Sequence, residues 1–167
     1  GILSFAQPQR LSINTGDGED FVRLDDNGEA VADGSVEFID FELIVDAGGQ
    51  VGDQLAIIDR SDTSGDKFAI DSDSVSPQQG SNIFGSGGSL RYFGLERLAI
   101  DVANDNSEAK IATDDLATQL ELNFSSTANN QLFVDGSIAM DTLIIAFLDR
   151  NRATLDLEAV DASVPTI

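Results

Sequence analysis

The chain has 167 residues, enough for one domain with a sizeable core, and is 41% hydrophobic. Its 30 Asp and Glu against 9 Lys and Arg give a formal charge of -21, and a polyanion without a basic stripe cannot neutralise phosphates, which sets aside nucleic acid and anionic membranes as partners. With no Cys and no His, a disulfide framework, thiolate or imidazole metal ligation and a His-dependent nucleophile are set aside as well.

The chain opens on Gly1-Ile2-Leu3 with neither an initiator Met nor a basic leader, the expected look of a mature or excised segment. Residues 1–10, with the apolar run Ile2–Phe5 ahead of Pro8, read either as an ordinary edge strand or as a loosely attached strand that adds to a neighbour's sheet. From there apolar residues recur at every second position. The runs are Leu11/Ile13, Val22/Leu24, Val36/Phe38, Leu43/Val45, Leu55/Ile57 and Phe68/Ile70. They continue with Leu98/Ile100/Val102, Leu120/Leu122/Phe124, Leu132/Val134, Leu143/Ile145/Phe147 and Leu155/Leu157. Period two means strands with one buried and one wet face. Between them lie turn-forming clusters such as Thr15–Gly18, Asp26-Asn27-Gly28, Ala47-Gly48-Gly49, Ser64-Gly65-Asp66 and Gly85–Gly88. Ser107–Leu120 breaks the pattern. It has few β-branched residues, and Ile111, Leu116 and Leu120 fall near one helical face, which predicts a short helix near 107–118.

Several apolar doublets recur at a spacing of about twelve residues, for example Leu43/Val45 then Leu55/Ile57. Such spacing suits either hairpins of similar loop length or the rungs of a solenoid. The residues between doublets share little identity, which favours hairpins. The expectation is therefore a single all-β domain over 1–167, a β-sandwich with Greek-key-like connections, with a parallel β-solenoid as the alternative.

Oxygen ligands for a hard cation gather near the N-terminus. Thr15-Gly16-Asp17-Gly18-Glu19-Asp20-Phe21-Val22-Arg23 resembles the calcium-binding nonapeptide of RTX-type exoproteins, with Thr15 at a glycine position and no tandem copy following. Asp17, Glu19, Asp20, Asp25 and Asn27 are the candidate calcium ligands. No cofactor is required by the pattern. Asp59-Arg60-Ser61-Asp62 and Asp71-Ser72-Asp73 read instead as Asx turns or wet strand edges. Paired carboxylates are plentiful, but the aromatics, ten Phe and one Tyr, have core-like placement rather than that of a sugar platform.

Residues 36–57, with Val36-Glu37-Phe38, Leu43-Ile44-Val45, the turn at Gly48-Gly49 and Asp53-Gln54-Leu55-Ala56-Ile57, resemble the opening of cadherin-like repeats in large bacterial adhesins. The resemblance continues through Ile83–Gly88 and Leu98–Asn104 to Thr142–Asp149, about residues 36–150 in all. Tyr92-Phe93-Gly94-Leu95-Glu96 stands as an insertion in that pattern and resembles an element of Gly-Asp-rich secreted repeats. The first resemblance implies a sandwich and the second a solenoid. Both imply an exported bacterial surface protein.

The functional expectation is a secreted, non-enzymatic structural or adhesive domain of the cell surface or matrix. Its expected partners are further copies of itself or neighbouring repeat modules, with filament formation by strand addition. The alternative is a calcium- or carbohydrate-binding module that takes a surface glycan. No run of apolar residues approaches the ~18 needed to span a bilayer.

Overall fold

A computed structural model describes residues 9–25, 35–49, 51–60, 65–78, 83–102, 107–111, 119–124, 131–135, 142–147 and 154–158. Among these the chain is all strand and turn, with no helix. The strands are β1 (Arg10–Asn14), β2 (Phe21–Leu24), β3 (Glu42–Asp46), β4 (Gln54–Asp59), β5 (Lys67–Asp71), β6 (Ser74–Pro77) and β7 (Ser89–Phe93). They continue with β8 (Arg97–Val102), β9 (Glu108–Ile111), β10 (Gln119–Phe124), β11 (Gln131–Asp135), β12 (Thr142–Phe147) and β13 (Thr154–Glu158).

They form two sheets. Sheet A has the order β1-β3-β7-β6-β5-β9-β11-β13 and is mixed; sheet B has the order β12-β10-β8-β4-β2 and is wholly parallel. Successive strands alternate between the sheets, and outside the third pass each pairs in parallel with the strand two places on. The chain therefore winds, laying one strand on each sheet per turn. In the C-terminal half a turn takes 22 or 23 residues: Leu98 pairs with Leu120 and Leu120 with Leu143, while Ala109 pairs with Leu132 and Leu132 with Leu155.

Register explains why the doublets matter. Val22, Leu55, Leu98, Leu120 and Leu143 form one column across sheet B, and Leu24, Ile57, Ile100, Leu122 and Ile145 form the next. In sheet A, Leu11, Leu43 and Leu90 align, as do Ile13, Val45 and Tyr92. The inner faces of both sheets contribute to one hydrophobic cluster. Each turn covers the apolar residues of the turn before it, so burial is shared between neighbours rather than completed within any single hairpin.

One pass departs from this scheme. Between β4 and β8, which adjoin in sheet B, the chain places three strands in sheet A. It runs out to β5 beside β9, then returns through antiparallel β6 to β7 beside β3. Sheet A is thus two strands, roughly 10 Å, wider at this level. Connecting residues outside the strands add apolar volume to the same core: Val36, Ile39, Ile83 and Phe84 are all buried. The two connections touch through backbone. A side chain at Gly88 would bring its Cβ within 1.9 Å of the Ile39 carbonyl oxygen, and one at Gly85 within 2.4 Å of that of Glu37.

Two expectations are revised. Greek-key-like antiparallel connections give way to parallel pairing, and the only antiparallel pairs among the described strands are β5–β6 and β6–β7. The predicted helix does not form over its described part. Glu108–Ile111 is β9, held in parallel register between β5 and β11, and residues 112–118 lie outside the described residues. Pairing on both sides outweighs a weak local preference for helix. Tyr92–Phe93 end β7, and Gly94–Glu96 form the corner into β8. Of the apolar doublets, Val36/Phe38 alone lies outside the strands, in a connection where Val36 is buried and Phe38 exposed.

Candidate functional site

The corner leading from sheet A to sheet B repeats in the described turns that join β1 to β2, β3 to β4 and β7 to β8. Two columns of residues build it. The first is glycine: Gly16, Gly48 and Gly94 have φ of 87°, 86° and 70°, a region costly for other residues. They also stack backbone on backbone. A Cβ at Gly48 would lie 2.2 Å from the Gly16 carbonyl oxygen, and one at Gly94 would lie 2.1 Å from that of Gly48.

The second column is acidic. Asp20, Asp53 and Glu96 each stand immediately before a strand of sheet B, and the first residues of those strands, Phe21, Gln54 and Arg97, are aligned by register. A chain turning out of one sheet and into another leaves N–H groups without ladder partners, and a carboxylate accepts them well. The Asp20 N–H donates to Asp53 Oδ1 at 2.8 Å. The N–H groups of Gly52 and Asp53 donate to Glu96 Oε2 at 3.0 and 2.8 Å. Each later turn thus caps the corner of the turn before it. Main-chain bonds run alongside: Gln54 N–H to Asp20 O at 2.8 Å, Arg97 N–H to Asp53 O at 3.1 Å and Gln119 N–H to Glu96 O at 2.7 Å.

Asp53 is fully buried, and its Oδ2 accepts no hydrogen bond among the described residues. Asp20 Oδ2 and Thr15 Oγ1 are buried and unbonded in the same way. A buried carboxylate oxygen without a donor is costly. These atoms are the oxygens of the corner with spare capacity for a cation or an ordered water.

The candidate calcium ligands are dispersed. Asp20 belongs to the acid column. Glu19 is exposed and lies over Gly52, with its Cγ 2.9 Å from where a Cβ on that glycine would sit. Asp17 is exposed, Asp25 forms an ion pair with Arg23, and Asn27 lies outside the described residues. Among the described residues no three acidic side chains converge on a point that would hold a metal ion. Asp53 and Glu96 were not among the sequence candidates. Along the column, Asp20 to Asp53 is 33 residues and Asp53 to Glu96 is 43, the second step lengthened by the wide third pass, so no fixed period marks them.

The other acidic stretches are structural. Asp71 Oδ1 accepts the N–H of the adjacent Ser72 at 2.8 Å in the β5–β6 hairpin. Asp59 Oδ1 accepts the Val36 N–H at 3.2 Å, and Arg60 pairs with Asp101 at 2.5 Å. On the outer face of sheet B, Arg97 reaches Gln54 Oε1 at 3.1 Å and also bonds Glu121. The Asn123 amide donates to Glu121 Oε1 at 3.0 Å. Those two bonds, Asn123 first and then Arg97, hold the Glu121 carboxyl below its ordinary value. Tyr92 is buried and its hydroxyl donates to the Asp71 carbonyl at 2.7 Å, and burial pushes its ionisation well above the usual range.

A groove of about 530 Å³ lies where the two connecting segments meet β6, lined by Glu37, Pro77, Gln78, Phe84 and the 85–87 backbone. Its described lining includes one carboxylate, Glu37. No protein family, curated protein or solved structure matches this chain.

Proposed function

We propose that the winding chain is a parallel β-solenoid serving as an extracellular structural or adhesive module of a bacterial surface or matrix protein. The observation that carries this reading is the pair of continuous apolar columns through sheet B. They make every turn the cover of its neighbour, the construction of a rod that holds shape by repetition. The acidic exterior suits a solvated surface in a medium where cations screen self-repulsion. Labelling intact and permeabilised producer cells with an antibody to the folded domain tests the reading. Signal on intact cells is expected, and signal only after permeabilisation would remove it.

A second reading, a calcium-dependent module, is favoured by the unbonded Asp53 Oδ2 and Asp20 Oδ2 at one corner. Thermal melts at constant ionic strength separate the two. A rise in Tm with calcium that sodium does not reproduce, and that Asp53→Asn abolishes, supports ligation; equal rises with both salts leave only screening.

A further inference from the structure

We infer that sheet A ends in two matched edges, so that β1 of one copy pairs in parallel with β13 of a second copy and the chains join head to tail. The inference rests on the structural reading above and adds its partner and contact.

Among the described strands each edge has one neighbour: β3 beside β1, and β11 beside β13. Leu11 shows that the first edge is an interrupted interior. Its register partner Leu43 and the next residue of that column, Leu90, are 2% and 0% exposed, whereas Leu11 is 44% exposed. Leu11 continues the Leu43 and Leu90 column, and no further described strand lies beyond it. Natural edges are usually blunted by proline, lysine, a bulge or a cover, and stacked repeats by polar caps. β1 reads Arg10-Leu11-Ser12-Ile13-Asn14, and β13 reads Thr154-Leu155-Asp156-Leu157-Glu158; neither has a proline or a lysine.

Direction and register both match. The two antiparallel steps through β6 cancel, so β1 and β13 run the same way. Followed pair by pair, Leu11 is level with Leu43, Leu90, Val75, Ile70, Ile111, Val134 and finally Leu157. A second copy continuing that level sets Leu11 against Leu157 and Arg10 against Asp156.

Charge agrees with this placement. In a chain of net charge -21, the strands β1 and β2 carry no acid and two bases, Arg10, which pairs with Glu42 of β3, and Arg23, which pairs with Asp25. The strands β12 and β13 carry Asp156 and Glu158 and no base. Opposite charges facing across a strand pair stabilise it, and like charges oppose it. A contact between two different edges leaves one edge of each kind free on every complex, so copies keep adding unless their rotation closes a ring.

Sedimentation velocity and negative-stain electron microscopy on the full chain across a concentration series test the proposal. Growth into linear particles is expected. Arg10→Asp and Asp156→Arg should each raise the concentration for half-assembly by roughly three- to tenfold, and the two together should restore it. Deleting residues 1–8 should leave assembly intact. A monomer at every concentration, or a dimer that grows no further, would overturn the inference, as would loss of assembly on that deletion, which would assign the contact to the N-terminal run. A monomer displayed on intact cells would remove this contact while leaving the proposed module standing.

Discussion

At the scale of single residues, the corner depends on what glycine lacks and what a carboxylate accepts. Gly48 sits between two neighbours of its column, with positive φ and the Gly16 carbonyl against its missing side chain; Gly16 ends the column and has nothing within 4 Å of its would-be Cβ. Gly48→Ala therefore pays for both strain and collision, and Gly16→Ala for strain alone. Urea denaturation should find Gly48→Ala destabilised by about 3 kcal/mol or more and Gly16→Ala by about 1 kcal/mol. Equal losses would mean that the corners do not stack. Glu121 gives a pH test. Its folded-state ionisation lies below its ordinary value of 4.5 because Asn123 and Arg97 favour the charged form. Its contribution to stability is thus present above that value and disappears as pH falls through the lower, folded one. The Tm gap between the wild type and Glu121→Gln should be open at pH 6 and close progressively as the pH falls below 4.5. A gap that widens instead would contradict the assigned partners.

At the scale of elements, stability resides in columns that cross strands. Leu98, buried in β8, has neighbours in both β4 and β10, so Leu98→Ala should cost about 2–5 kcal/mol in urea unfolding. Leu11→Ala at the open edge of sheet A should cost about 1 kcal/mol or less. Comparable losses would mean that the strand order across the sheets is wrong. Most strands were legible in the sequence, because period two survives any arrangement that buries one face. Their partners were not. Leu43/Val45 and Leu55/Ile57 are twelve residues apart both as a hairpin and as successive half-turns of a coil, and here they lie in different sheets. The 22–23-residue turn is regular only after β8, since the β5–β7 excursion stretches the pairing of Leu55 with Leu98 to 43 residues. Glu108–Ile111 read as helix because its alternation is only four residues long, and its place as a strand is set by β5 and β11, far away in sequence. The candidate site was half legible. Asp20 was visible in a glycine-rich turn, but Asp53 and Glu96 join it only through the winding.

At the scale of the molecule, the winding depends on one piece of topology: β4, β8 and β10 lie side by side and run in the same direction. Because the chain has no native cysteine, a designed pair reports on this directly. Ala56 and Ala99 are register partners in β4 and β8. Neighbouring strands lie about 4.8 Å apart, within disulfide reach, whereas a partner displaced by two residues along the strand lies about 8 Å away and out of reach. The decisive measurement is the yield of intramolecular disulfide, read by mass spectrometry after mild oxidation of the folded protein. The parallel winding predicts near-complete bonding for Ala56→Cys with Ala99→Cys and little for Ala56→Cys with Asp101→Cys. Bonding absent from the first pair, or equal in both, would contradict it.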